Sequence, residues 1–274
     1  MIRGFPAYIS ANNLASFVWV ILLSVAYPVH CETIGWQQYN TYGDANAVIE
    51  KQSQIINSEA GQAGPFIVRG NAYFELRDFE SAVLDFNQAI EINSQADLAY
   101  FGRGMALGRM GKIDEAIIDL SIYITRNPKS SVGYTKRGIR YFWKNDKENA
   151  EKDFSMAIKL DPNNAEAHDD LGVIHAQRGD FDNAIKLFSS TLRLDPTYQK
   201  GYHNLAMAYF ITGKNAVALE MVNGSLDLTP QAKNSLMLKG NILQSLGLNE
   251  EAAEAFEAAE FAPDANWSES AAVQ

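Results

Sequence analysis

The sequence predicts an all-α solenoid assembled from stacked two-helix hairpins. Three observations carry that prediction. A 34-residue period runs without insertion over residues 63–266. In a frame starting at Ala63, position 20 is alanine six times: Ala82, Ala116, Ala150, Ala184, Ala218 and Ala252. Position 8 is Gly70, Gly104, Gly138, Gly172, Ala206 and Gly240, while position 24 holds the larger Phe86, Leu120, Phe154, Phe188, Val222 and Phe256. Small residues at 8 and 20 let two helices approach closely, and the large side chain at 24 fills the space beside them.

The elements follow in chain order. Residues 1–31 read as a secretory signal peptide. Leu14 to Ala26 is an uncharged, mostly apolar run with only Arg3 as an ordinary charge before it. It is shorter than the roughly 20 residues a spanning helix needs. Cleavage is expected after Cys31, which leaves a polar start at Glu32, or after Ala26. The alternatives are an uncleaved membrane anchor over residues 14–29, lipidation at Cys31, or a buried helix. Cys31 is the single cysteine, which excludes an internal disulfide and any cysteine-rich metal site. Residues 32–62 are an N-terminal segment. In it, Ala45 to Asn57 places Val48, Ile49, Ile55 and Ile56 so that a helix could cap the first repeat. A degenerate extra repeat is the alternative, because Gly43-Asp44 precedes that stretch as in a hairpin.

The six repeats are 63–96, 97–130, 131–164, 165–198, 199–232 and 233–266. In each, positions 4, 7, 8 and 11 share one helical face, as do 17, 20, 24 and 27. Position 15 is Gly111, Gly179, Gly213, Gly247 or Asn145, the left-handed residue that ends a helix. Pro128, Pro162, Pro196 and Pro230 at position 32 close the second helix. Ser130 or Asn163 just beyond is placed to cap the next one. One such hairpin cannot bury its own apolar face, so stacking must supply the core. Residues 267–274 are too few for another pair and are expected to fray.

Positions 7 and 23 vary together. They hold Arg69 with Asp85, Arg103 with Asp119 and Arg137 with Asp153, then Leu171 with Leu187 and Leu205 with Met221. Charge pairs are replaced as pairs by apolar ones, so the two side chains should meet across the hairpin as structural ion pairs. The competing reading has the arginines facing a ligand.

Composition narrows the function. With 47% hydrophobic and 20% charged residues the chain is not wholly disordered. A net charge of −10 disfavours nucleic acid as a partner, because phosphate neutralisation needs a basic face. His168 and His175 stand seven residues apart on a helix, about 10.5 Å, too far to share one metal ion. The run Gly102 to Gly108 follows no strand and falls on repeat positions, so it reads as a helix face rather than a nucleotide loop. There is no phosphate loop, nucleophile elbow or HExxH. Neither an enzyme nor a cofactor is expected.

The repeat resembles the tetratricopeptide repeat. Phe66-Gly70-Tyr73-Ala82-Phe86-Ala89 and Tyr134-Gly138-Tyr141-Ala150-Phe154-Ala157-Pro162 carry the resemblance, which covers about three quarters of the chain. The departures are Tyr123, Thr191 and Ser225 at position 27 and a leucine pair in the sixth repeat. The resemblance implies a right-handed superhelix whose concave groove, lined by the first helices, binds a peptide or protein segment. Groove positions 2, 5, 9, 12 and 13 then nominate Phe74, Phe101, Met105, Arg109, Phe142, Trp143, Lys200, His203, Met207 and Phe210. Among these, Phe101, Trp143 and Phe210 are favoured as contacts. Position 12 could instead pack against the next repeat. The lysine of the family's chaperone-docking carboxylate clamp is missing at position 5, which argues against a cytosolic chaperone adaptor. The overall expectation is an exported interaction scaffold. The alternative is a self-associating or membrane-tethered assembly factor, with any membrane contact confined to the leader.

Overall fold

The computed structural model describes residues 42–59 and 61–263, which fall in one compact unit, Gln38–Gln274. The expected leader, including its cleavage sites and the 14–29 anchor, and the tail at 267–274 lie outside the described residues. All thirteen described elements are helices. After α1 (Tyr42–Ser58) come six hairpins: α2 (Ala63–Glu75) with α3 (Phe79–Ile92), α4 (Asp97–Arg109) with α5 (Ile113–Arg126), and α6 (Ser131–Trp143) with α7 (Lys147–Leu160). They continue as α8 (Ala165–Gln177) with α9 (Phe181–Leu194), α10 (Gln199–Ile211) with α11 (Asn215–Leu228), and α12 (Lys233–Ser245) with α13 (Asn249–Phe261). Each first helix fills frame positions 1–13 and each second helix starts at position 17, so chain periodicity is structural periodicity.

The packing follows from residue size. All six position-20 alanines are buried, and the rings of Phe86, Phe154 and Phe188 are buried against the glycine column. A Cβ added at Gly138 would lie 2.7 Å from Phe154 Cε1, and one at Gly172 would lie 2.6 Å from Phe188 Cε1. Only hydrogen fits there. Burying one such ring contributes about 2 kcal/mol, so the close approach is worth the glycine's helix penalty of ~1 kcal/mol. The fifth repeat has alanine at position 8, and there position 24 shrinks to Val222. Both are fully buried.

Helix ends obey local rules. Position 15 is left-handed in every repeat: Gly111, Gly179, Gly213, Gly247, Asn145 and also Arg77, whose φ is 64° without a glycine's freedom. Asp161 and Asp195, which precede Pro162 and Pro196, are extended, the conformation a following proline favours. Ser130 caps α6 by accepting from Gly133 N. The cap of α8 is Asn164, accepting from Ala167 N, and not Asn163, whose own N–H donates to Asp161. The offset is one residue, because Pro162 and Asn163 form the turn and the cap must be the last non-helical residue.

Positions 7 and 23 meet as two-pronged ion pairs. Arg69, Arg103 and Arg137 each donate Nε and Nη2 to both oxygens of Asp85, Asp119 and Asp153, at 2.7–2.8 Å. Each arginine also lies beside aromatic residues at position 4 or 11, as Arg137 does between Tyr134 and Tyr141. The third donor, Nη1, reaches back to the preceding element: Ser53, Asn87 and Ser121 respectively. Those three acceptors are spaced 34 residues apart, and α1 ends 34 residues before α3. So α1, which spans the Ala45–Asn57 stretch, stands in the phase of a second helix. In the fourth and fifth repeats Leu171 and Leu205 are buried with Leu187 and Met221 packed beside them.

Candidate functional site

Each first helix touches the first helix of the next repeat, and no two second helices of the described residues touch. The first helices therefore crowd one side of the stack, and their outward positions make its groove. The structure sorts the nominated residues there into two classes. Phe74 is buried edge-on to Phe79, with ring centroids 5.3 Å apart. Phe101 is only 8% exposed, against Tyr123 at 4.9 Å, and Met105 is buried beneath Arg140. These three do not line an open wall, which corrects the expectation of Phe101 as a leading contact. The cause is Tyr123, which stands at position 27 where the repeat usually has alanine and covers the position-5 ring. Phe210 packs half-buried on the fifth-repeat core. Trp143 and Met207 are open, at 40% and 37% exposure.

Between α6, α8 and α10 lies a cleft of about 350 Å³. Ile139, Phe142, Phe154, Val173 and Trp143 give it apolar walls. Glu166, Asp170, Lys200, His203 and Asn204 give it polar ones, and Tyr198 completes it. Four of the nominated residues, Phe142, Trp143, Lys200 and His203, thus come together. Ile139 and Val173 sit at position 9 of the frame, so their place was available in the sequence. Asp170 and Asn204 occupy position 6, where Lys136 follows the same polar trend. Tyr198 lies in the inter-repeat turn and carried no signal.

The polar side of the cleft is a charge network. Lys200 Nζ lies 3.0 Å from Asp169 Oδ2 and 3.1 Å from Asp170 Oδ1. Asn204 donates to the other oxygen of Asp169, which is fully buried. Lys136 holds both oxygens of Glu166 at 2.6–2.7 Å. Burial pushes the Asp170 carboxyl up to about 6 against the pull of Lys200. Burial opposes the charge on Lys200, but Asp170 and Asp169 hold its pKa well above the usual lysine value. Burial pushes His203 down to about 4, with Asp169 acting weakly the other way, so the imidazole is neutral at pH 7. Three carboxylates face two lysines, which leaves this part of the groove with one net negative charge.

His203 Nδ1 is 3.0 Å from Ser235 Oγ, which is 2.9 Å from Ser225 Oγ, in turn bonded to Gln199. Both serines are fully buried, so the chain of hydroxyls packs the repeats together and offers no accessible nucleophile. His168 contacts the Pro162 carbonyl and His175 contacts Asp180. Among the described residues no group of three or more His, Cys, Asp or Glu side chains is placed to hold a metal ion, and no helix is long and apolar enough to cross a membrane.

A second hollow, of about 310 Å³, adjoins the cleft through Trp143, which lines both. Its other walls are Arg77, Phe79, Gly108, Arg109, Gly111 and Ile113. Burial, and then the charge of Arg77, lowers the pKa of Arg109. The groove therefore runs from a basic stretch on the first and second repeats to a mildly acidic one on the fourth.

Comparison with known proteins agrees with this architecture. Profiles described as TPR repeat or tetratricopeptide repeat match residues 70–111, 98–130, 135–198 and 203–266. No curated protein matches the chain in sequence. The fold is similar to that in a crystal structure of the APC/C hetero-tetramer Cut9-Hcn1, with TM-score 0.73 and 16% identity over 84% of this chain. The match spans 46% of that protein, about half its length. A tetratricopeptide repeat protein from Parabacteroides merdae ATCC 43184 gives TM-score 0.64 at 19% identity, covering 84% of this chain and 91% of its own. YrrB, described as a TPR protein with an unusual peptide-binding site, gives 0.53 at 22% identity, covering 69% and 97%.

Proposed function

We propose that this chain, which belongs to the tetratricopeptide repeat family, is an exported, non-catalytic scaffold that grips an extended or helical segment of a partner protein in its groove. The cleft between the third, fourth and fifth repeats carries this reading. It combines an aromatic wall, Phe142 and Trp143, with buried charges that are already oriented. Aromatic anchors with fixed polar neighbours are what protein-binding hot spots are made of. Preorganised charges also lower the cost of ordering the site on binding. Export rests on the leader over residues 1–31, and the acidic surface disfavours nucleic acid.

The test is capture of partners by cross-linking, comparing the wild type with Phe142→Ala/Trp143→Ala and with the control Leu84→Ala on a second helix. The groove variant should lose its partner while the control keeps it. Equal capture by all three removes the groove from the account. Fractionation with N-terminal sequencing tests export: an intact leader in a membrane fraction favours the tethered form.

A second reading has one specific observation behind it. Leu84 and Ile118 occupy position 22 of successive second helices and are 65% and 60% exposed. Self-association through that face is the assembly-factor alternative, and sizing of wild type against Leu84→Glu/Ile118→Glu separates the two.

A further inference from the structure

The three hairpin arginines occupy one place in the repeat, and the sixth repeat fills that place differently. In repeats one to three the position-7 arginine stands between two second helices. It pairs with the position-23 aspartate of its own repeat and bonds position 25 of the helix before, as Arg137 does with Asp153 and Ser121. Rings at positions 4 and 11 flank it in the first and third repeats, Tyr134 and Tyr141 beside Arg137. In the sixth repeat positions 4, 7, 11 and 23 hold Leu236, Lys239, Leu243 and Ala255, with Asn223 at position 25 of the fifth. All five line one hollow of about 420 Å³ between α11, α12 and α13. The hollow is the arginine site with its rings and its carboxylate taken away. The position-7 cation stays, and Lys239 makes no ion pair among the described residues.

The remaining walls are Leu219 on α11 and Glu251, Glu254 and Ala258 on α13. Leu236, which lines the hollow, also packs with Ala259 and Ala262 at the end of α13. The chain therefore leaves α13 at the rim of the hollow. It continues past Pro263, the last described residue, as Asp-Ala-Asn-Trp-Ser-Glu-Ser-Ala-Ala-Val-Gln. Trp267 is the only aromatic residue of that segment, and Asp264 and Glu269 are its acids. Alternate side chains of an extended segment share one side, which groups Trp267 with Glu269 and leaves Asn266, Ser268 and Ser270 on the other. The five residues from Ala262 to Trp267 reach up to about 17 Å. Ala255 lies seven residues back along α13, about 10.5 Å.

We propose that residues 264–271 fold back along α13 and close this hollow, with the Trp267 indole over Leu236, Ala255 and Ala258 and the Glu269 carboxylate on Lys239. The tail returns to the sixth repeat the ring and the carboxylate that its own positions 4, 11 and 23 lack. Glu251 and Glu254 stand toward the start of α13, away from the entry of the tail, so Lys239 is the charge it meets first. The last repeat has a described neighbour on one side only, and a tail laid across α11, α12 and α13 steadies that end of the stack. The site shares no residue with the groove, so it goes beyond the groove reading and stands or falls apart from it.

The full chain is labelled with 5-fluorotryptophan, and Trp267 is assigned among the four tryptophans by Trp267→Phe. Its fluorine resonance should change little between H2O and D2O, as for a ring out of water, and should be the same at every protein concentration. Ala258→Glu fills the hollow from an exposed position, and in that variant the Trp267 resonance should move to the solvated value. Lys239→Met and Glu269→Gln should each move it part of the way. In amide exchange, Trp267→Ala should speed the opening of α13 about tenfold, because the burial of the ring is lost, while α8 and α9 keep their rates. A Trp267 that is fully solvated in the wild type overturns the proposal and restores the fraying tail. Protection that persists in Ala258→Glu, or α13 exchange unchanged in Trp267→Ala, overturns it as well. Protection that grows with protein concentration does the same, since the tail then sits on a second copy. Should Ala258→Glu not fold, Lys239→Met and Glu269→Gln decide, and no shift in either refutes the closure.

Discussion

Repeats one to three and repeats four and five use the same two positions to join their helices, with opposite chemistry. In the first group, Arg69, Arg103 and Arg137 close the hairpin through a carboxylate and bond the preceding element through a third donor. In the second, Leu171 and Leu205 pack with Leu187 and Met221. An ion pair at such a site offsets its desolvation only when both partners are present, whereas an apolar pair has no such dependence. The charged version adds directional bonds between neighbouring repeats. The apolar version adds only burial.

The largest expected effect breaks this contrast at its centre. Asp119→Ala should lower stability by about 3 kcal/mol, because Arg103 is left beside a void with no counter-charge. Arg103→Leu with Asp119→Met, which copies the fifth repeat, should recover most of the loss in urea unfolding. A double variant as unstable as the single would show that the ion pair is required for the fold. The glycine column gives a second exchange between repeats. Gly172→Ala should cost about 2 kcal/mol through collision with Phe188, and adding Phe188→Val should relieve it, as Ala206 with Val222 does. Additive losses in that double-mutant cycle would refute the size compensation.

His203 sharpens the second half of the comparison through pH. Its folded pKa of about 4 lies below the ordinary 6.5. The unfolded chain therefore takes up the proton first, and stability is lost as pH falls from about 6.5 toward 4. Asp170 acts in the opposite sense, since its pKa of about 6 in the fold exceeds the ordinary 3.8 and its protonation favours the folded state. Measured against His203→Gln, in which the Asp170 contribution cancels, the wild type should lose up to about 2 kcal/mol more between pH 7 and pH 5. Parallel stability profiles would contradict the buried neutral imidazole. The smallest effect concerns Arg77, left-handed where the later repeats have Gly179 and Gly213. Arg77→Gly should raise stability by about 1 kcal/mol in thermal melts, by removing backbone strain.

Some of the structure was written in the chain but needed the fold to be read. Positions 27 and 3 of the next repeat pair as Tyr123 with Gly133, Thr191 with Gly201 and Ser225 with Ser235, each ten residues apart. A side chain larger than alanine at the first is met by a glycine, or by a hydrogen-bonding serine, at the second. The departures from the repeat pattern at position 27 are thereby absorbed at the following position 3. The same exchange buries Phe101 under Tyr123, which moves the usable groove away from the second repeat and toward Trp143.

Helix count, hairpin phase, the glycine and alanine columns and the partners of Arg69, Arg103 and Arg137 follow from sequence alone. They depend on residues within one 34-residue unit, where spacing along the chain fixes distance in space. The open or covered state of Phe101, Met105 and Trp143, the cleft near Lys200 and the burial of Arg140 over Gly108 depend on how one hairpin settles on the next. That stacking brings together residues about 30 positions apart, such as Arg140 and Met105. Only the assembled solenoid decides which of them meet water and which meet each other.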